Sequence, residues 1–303
     1  MWARRKNAAE VLVALTGATG YVGRFVAADL LARGHEVVAW SRPASDLAGF
    51  PGPIRWVLGG LDDAASAERL VAGAAALVHA AFHHLPGHYR GGEGADVAGF
   101  LRTNLQGSLR LIEAARRAGV GRVVFLSSRA VYGPRLADRA LDEHHPLAPT
   151  THYGAYKAAV EAVLRGYGKA EGWPVCSLRA TGVFGLTQPI ERAKWVALVR
   201  DCRSHRAPPP RGGTEVYGPD LAEAVHLLLT APPAEVAGEA FNVSDVYVTH
   251  RALARLLGGP LPPPSPGPEG LMQTTKLQSL GWRPSGWPAV VQTLHALDRA
   301  LAI

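Results

Sequence analysis

The chain has 303 residues, 48% of them apolar and 19% charged, a balance that supports a large folded core and argues against disorder. No run approaches the roughly 20 apolar residues of a membrane span. Cys176 and Cys202 form neither a metal spacing nor a disulfide framework and read as buried thiols of a cytoplasmic protein. The net charge of +7 comes mostly from arginines scattered along the chain, without the gathered basic face that a nucleic-acid partner requires.

Residues 1–9 read as a basic tail. The apolar stretch behind them is a strand's length and runs straight into glycines, so a cleaved signal peptide is not expected. The stretch Glu10–Leu15 predicts a first strand, and Tyr21 to Arg33 a helix. Between them "TGATGYVG" carries Gly17, Gly20 and Gly23. Glycines at such a strand-to-helix turn let backbone approach a phosphate, which the helix N-terminus then receives. Thr19, Tyr21 and Val22 complete that candidate loop. Further strands are expected at His35–Arg42, Ile54–Asp63, Ala75–Phe82, Arg122–Ser128 and Pro174–Ala180. Helices are expected at about Ala64–Val71, Val97–Ala118 and Tyr153–Glu171.

This alternation implies an α/β fold: a doubly wound parallel sheet of Rossmann type over 10–180. Ligands of such sheets sit beyond the carboxyl ends of the strands. The rule gathers the glycines, Ser41, Arg42, Asp62, His79 to Phe82, Ser127 and Ser128 around one crevice. Past residue 180 proline-rich pieces loosen the rhythm, and 181–303 reads as a smaller substrate lobe. Within it, about 214–243 is expected to return to the main sheet.

Tyr153 and Lys157 stand four apart on a predicted helix, hence on one face. A nearby ammonium and an oxidised nicotinamide would both favour phenolate, so the pair could take a proton from an alcohol as hydride leaves its carbon. Ser128, ending a strand at the same sheet edge, could hold the substrate oxygen. Four histidines, His79, His83, His84 and His88, lack companion carboxylates, and no metal is expected. The loop His83–Gly94 instead reads as a cover for the nicotinamide or as an exposed loop. Arg129 could grip a substrate carboxylate or phosphate, or make a surface ion pair. Lys194 is a substrate candidate or a solvated lysine beside a packed Trp195.

Taken together, the three glycines, "VHAA" (78–81), Asn104, "FLSSRAVYG" (125–133) and the Tyr153/Lys157 pair resemble the extended short-chain dehydrogenases/reductases, which include NAD(P)-dependent epimerases and dehydratases of nucleotide sugars. "SLRATGVFG" (177–185), "GEAFNVSD" (238–245) and "LGWRP" (280–284) fit the same resemblance, which covers about residues 10–285. It implies Tyr153 as acid/base, Lys157 as ribose binder and pKa modifier, and Ser128 as substrate-oxygen partner. It further implies Asn104 as a structural or relay residue, Leu61 and Asp62 beside the adenine, and His79, Ala80 and Ala81 along the coenzyme. Corresponding helices in relatives pair as a four-helix bundle, so a homodimer is expected.

Departures narrow the expectation. Arg129-Ala130 replaces the Asp-Glu pair of the family's 4,6-dehydratases. Gly182 stands where many nucleotide-sugar members carry asparagine, and Gly213 where some carry a diphosphate-binding arginine. The reading is therefore an NAD(P)-dependent oxidoreductase acting on a secondary alcohol or ketone of a sugar-like small molecule. Its rivals are a nucleotide-sugar 4-epimerase and a coenzyme-sensing regulator without catalysis. Ser41-Arg42 ends the second predicted strand without an acid, which favours NADP while leaving NAD possible.

Overall fold

In the computed structural model the described residues are 10–85, 92–136, 139–265, 267 and 271–302. The tail 1–9, His88 and parts of the His83–Gly94 loop and of the proline-rich stretch 258–270 lie outside them. Among the described residues ten strands form: β1 (Leu12–Thr16), β2 (Glu36–Ser41), β3 (Arg55–Leu58), β4 (Ala76–His79), β5 (Arg122–Ser128), β6 (Val175–Ala180), β7 (Gly182–Phe184), β8 (Gly212–Tyr217), β9 (Glu239–Val243) and β10 (Val246–Thr249). Seven of them make one sheet in the order β3-β2-β1-β4-β5-β6-β9, and every pairing in it is parallel.

The unbroken apolar strands follow from burial on both faces. Val13 and Leu15 pack with Phe25, Leu30 and Leu221 on one side. Ala14 lies on the other, with Leu70, Leu111 and Val160. Helices Tyr21–Ala32 and Gly218–Thr230 thus cover the first face, and Ala64–Val71, Gly107–Arg117 and His152–Glu171 the second. The chain runs outward from β1 to β3 and then crosses back to β4, so a switch point opens between β1 and β4. In sheets of this kind the loops diverge at such a point and leave a crevice for a ligand.

The segment 214–243 divides. Its first part, β8, belongs to a separate small sheet, parallel to β7 and antiparallel to β10. Helix Gly218–Thr230 and β9 reach the main sheet, where β9 pairs with β6. The lobe has its own core, in which Trp195 stacks on Phe184 at 4.9 Å between ring centres beside Val199, Leu253 and Leu294. Trp282 ties it back: the indole is fully buried and donates to the Asp220 carbonyl at 2.8 Å.

The helix expected over Val97–Ala118 is not uniform. It runs as an α-helix Val97–Leu101, a π-helical turn Arg102–Gln106, and an α-helix Gly107–Arg117. Asn104 sits in that π turn, a widening often found where a side chain must be re-aimed.

Candidate active site

Backbone chemistry explains the glycines. Gly17 adopts φ +75°, a left-handed conformation that costs other residues, and a Cβ on it would lie 2.8 Å from the Ala80 carbonyl. A Cβ on Gly23 would fall on the Gly17 carbonyl, so the helix can approach the loop only without one. Gly20 differs: its backbone is ordinarily extended, and a Cβ there would meet only the Gly17 oxygen at 3.2 Å. Gly20 caps helix Tyr21–Ala32 without a side-chain hydrogen bond, and the first turn contains no acid. That end therefore keeps unsatisfied N–H groups and a positive dipole, the chemistry that holds a pyrophosphate. The residues present fit a dinucleotide coenzyme.

Thr16 organises the adjoining loop. Its hydroxyl oxygen accepts the N–H groups of Ala80 and Ala81 at 3.1 and 3.0 Å, so its own proton goes to His79 Nδ1, 2.8 Å away. Ser108 donates to the Asn104 carbonyl, which leaves its oxygen to accept from His79 Nε2 at 2.9 Å. His79 is thereby fixed as the neutral Nε2–H tautomer. Complete burial, with Lys157 nearby, lowers its pKa to about 3. Although β4 ends at the crevice, this side chain points inward and supports the loop from behind. Asn104 holds the loop's next residue: it accepts from His83 N–H at 2.8 Å and donates to the His83 and Phe100 carbonyls at 2.9 and 3.1 Å.

Tyr153 and Lys157 project from helix His152–Glu171, whose start is capped by the Thr151 hydroxyl. That helix lies close to the turn Arg129–Val131, because a Cβ on Gly154 would fall on the Ala130 carbonyl. Ser128 ends β5 immediately before the turn and its hydroxyl accepts Ala130 N–H at 3.2 Å. Lys157 is 3% exposed and donates to the Leu126 carbonyl at 2.5 Å. Its ammonium lies 4.4, 5.0 and 5.8 Å from the ring centres of Phe125, Tyr156 and Tyr153. Desolvation brings its pKa down to about 7, with Glu161 one turn on pulling the other way. Phe82 packs against Tyr153 at 4.8 Å and stacks on Tyr156 at 5.8 Å.

The remaining candidates disperse. Ser41 is buried while Arg42 is exposed, its backbone N–H held by the Ser45 hydroxyl. Leu61 is buried and Asp62 exposed. A Cβ on Gly107 would fall on the Leu61 carbonyl, which also accepts from Arg110 at 2.9 Å. His83 is exposed, whereas His84 stacks on Phe82 at 4.9 Å. Arg129 is half-buried in its turn. Lys194 is ion-paired with Glu215 of β8, and a Cβ on Gly182 would touch both members of that pair. Among the described residues no group of three or more His, Cys, Asp or Glu is placed to hold a metal ion.

Two features lay outside the reach of sequence pattern. One is the aromatic enclosure of Lys157 by Phe125, Tyr156 and Tyr153, which requires β5 and helix His152–Glu171 to be folded together. The other is a bridge from the lobe to the glycine loop. There the Tyr21 hydroxyl donates to the Gly185 carbonyl at 2.8 Å, and Arg192 donates to the Thr19 carbonyl at 2.6 Å.

Residues 13–244 match the NAD dependent epimerase/dehydratase family. A UDP-glucose 4-epimerase of Streptomyces lividans is 30% identical, with 89% of this chain and 91% of that protein covered. The crystal structure of a Thermus thermophilus UDP-glucose 4-epimerase in complex with NAD superposes with a TM-score of 0.77 at 26% identity, covering 95% of this chain and 99% of that one. A dTDP-glucose 4,6-dehydratase from Streptomyces venezuelae, with NAD and TYD bound, gives 0.76 at 26% identity over 95% and 97% of the two chains.

Proposed function

The chain belongs to the NAD dependent epimerase/dehydratase family, and from that premise we propose that it is an oxidoreductase moving hydride at a secondary alcohol or ketone of a sugar-like substrate. The observation that carries this reading is the Lys157 ammonium buried 5.8 Å from the Tyr153 ring, beside the turn that follows Ser128. When bound, the nicotinamide coenzyme supplies or accepts the hydride. Tyr153 takes the hydroxyl proton, or returns it in the reverse direction. A free phenol ionises near pH ~10, and a cation held in a dry, ring-walled site stabilises its anion far better than one in water. Ser128 orients the reacting oxygen, and Asn104 holds the loop 80–83 beside it.

Arg129-Ala130 supplies no acid–base pair for removing water, which disfavours dehydration. A nucleotide-sugar 4-epimerase is the second reading, supported by the relatives from Streptomyces lividans and Thermus thermophilus. Against it, the Lys194–Glu215 pair sits beside Gly182, where many nucleotide-sugar members carry asparagine. Purified protein incubated with sugars, sugar acids and UDP-sugars separates the two. Stoichiometric coenzyme reduction marks the oxidoreductase, and sugar inversion without net reduction marks the epimerase. Unchanged coenzyme and substrate across the panel would leave a non-catalytic sensor.

Arg42 at the end of β2 supports a preference for NADP(H). One charge-assisted pair is worth about 1.5–3 kcal/mol, hence roughly tenfold or more. Arg42→Ala should weaken that preference, measured as binding of both coenzymes. We further propose a homodimer through helices Gly107–Arg117 and His152–Glu171, where Leu109 and Val163 remain part-exposed. A monomeric mass at micromolar concentration would overturn it.

A further inference from the structure

We propose that Arg192, carried by the C-terminal lobe, is a specificity residue that pairs with the 2′-phosphate of an NADP-type coenzyme, so that the substrate lobe itself reads coenzyme identity. The inference rests on the coenzyme reading above and extends it to a residue 173 positions from the glycine loop.

Three positions define the case. Arg192 donates to the carbonyl of Thr19, inside the glycine loop, at 2.6 Å. Its other terminal nitrogen lies 3.8 Å from Asp46 Oδ2, in the loop that follows β2. Arg192 therefore spans the two segments between which a dinucleotide fold places the adenosine ribose. The lobe segment is held there by more than this one side chain, since a Cβ on Gly49 would press on Gln188.

Charge accounting favours an anion at this point. Asp46 is the only acid from Ser41 to Phe50, and a ribose with free hydroxyls would need its carboxylate as acceptor. That carboxylate already faces Arg24 at 3.2 Å. Arg24 is fixed: it is 4% exposed, donates to the Ala48 and Asp46 carbonyls at 2.7 and 2.9 Å, and lies over the Phe50 ring. Burial and the Arg192 charge both lower its pKa, and Asp46 opposes them. One carboxylate thus meets two guanidiniums, and Arg42 stands exposed nearby at the end of β2. Arg192, with 36% of its side chain exposed, engages Asp46 loosely and has N–H groups to offer. Bidentate guanidinium–phosphate pairing suits such a donor.

The test is binding, read by nucleotide fluorescence with NADPH and NADH and by calorimetry with 2′-AMP and 5′-AMP, on wild type, Arg192→Ala, Arg192→Gln and Arg42→Ala. Arg192→Ala should weaken NADPH and 2′-AMP about tenfold or more while NADH and 5′-AMP change less than about twofold. Arg192→Gln, which keeps one donor for Thr19, should show the same selective loss even if the alanine variant folds poorly. NADPH, and not NADH, should slow amide exchange across 188–195 in the wild type. Equal weakening of both coenzymes would make Arg192 a brace for the glycine loop and overturn the proposal. Selective loss in Arg42→Ala alone would overturn it while the coenzyme reading survives. A wild type that prefers NADH would overturn both, and hydride transfer through Tyr153 would stand apart from either result.

Discussion

At the Tyr153 end of the crevice one cation, Lys157, is shut among aromatic rings and given a single carbonyl partner. At the Asp46 end, Arg24 and Arg192 share one carboxylate, and both Asp46 and Arg192 remain about one-third exposed. The same kind of charge is handled in opposite ways, and physics explains the difference. Acting on a proton requires a field undiminished by water, so the ammonium is desolvated at a cost to its own ionisation. Gripping an anion that arrives from solvent, the role proposed for the Asp46 end, requires spare donors within its reach, and there two guanidiniums face one carboxylate.

Removing the proposed acid–base group should give the largest effect. Tyr153→Phe keeps the ring that packs on Phe82, so coenzyme affinity should change less than about twofold. Turnover should fall by about 10²–10⁴, measured with whichever substrate the panel identifies. Turnover within a factor of a few of wild type would break the distinction between the two ends, because Tyr153 would then be only a packed ring.

The buried cation should be visible in stability, with a definite sign. Lys157 falls to about 7 in the fold, against ~10.4 in an unfolded chain. Between these values the unfolded state binds more protons, so wild-type stability rises with pH through that window. The contribution is fully present above the unfolded value and is lost as pH falls through about 7. Lys157→Met has nothing there to titrate. Relative to wild type it should be most stable near pH 7 and lose ~2–4 kcal/mol of that advantage by pH 10. Urea melts of the two proteins across pH 6–10 measure it. A difference independent of pH would show that Lys157 titrates normally, and that water reaches it.

Much of the main sheet was legible because its strands are buried on both faces and its helices carry clear stripes. The spans Arg122–Ser128 and Ala64–Val71 were read as they form. The π turn at 102–106 was not, since hydrophobic spacing does not record where a helix widens by one residue. His79 was assigned to the crevice by its place at a strand's end. Its side chain turned inward because Thr16 and Ser108 offered partners that only the folded sheet brings near. Lys194 read as a solvated or substrate-facing lysine. Its partner Glu215 lies on a strand of the small sheet, beyond local pattern. Arg192 is equally hidden in the sequence, because the segment after Pro189 carries no periodicity to fix where it docks.

The smallest effects come from two glycines of one loop, and they sharpen the picture of the proposed anion-binding end. At Gly23 the space for a Cβ is taken by the Gly17 carbonyl. Gly23→Ala must therefore push helix and loop apart, at ~1–3 kcal/mol of stability, and should weaken coenzyme binding as a consequence. Gly20 has an ordinary extended backbone and only one neighbour at 3.2 Å, so alanine should be accepted there with less than ~1 kcal/mol lost. The added methyl nevertheless stands at the mouth of the helix N-terminus, where backbone has to approach the pyrophosphate. Gly20→Ala should then weaken NADPH and NADH alike, by roughly three- to tenfold, because both carry the same diphosphate. Loss in both coenzymes at Gly20, set against loss in one at Arg42, separates the diphosphate seat from the ribose seat. An alanine at position 20 that destabilises the fold yet leaves both affinities unchanged would place the coenzyme elsewhere.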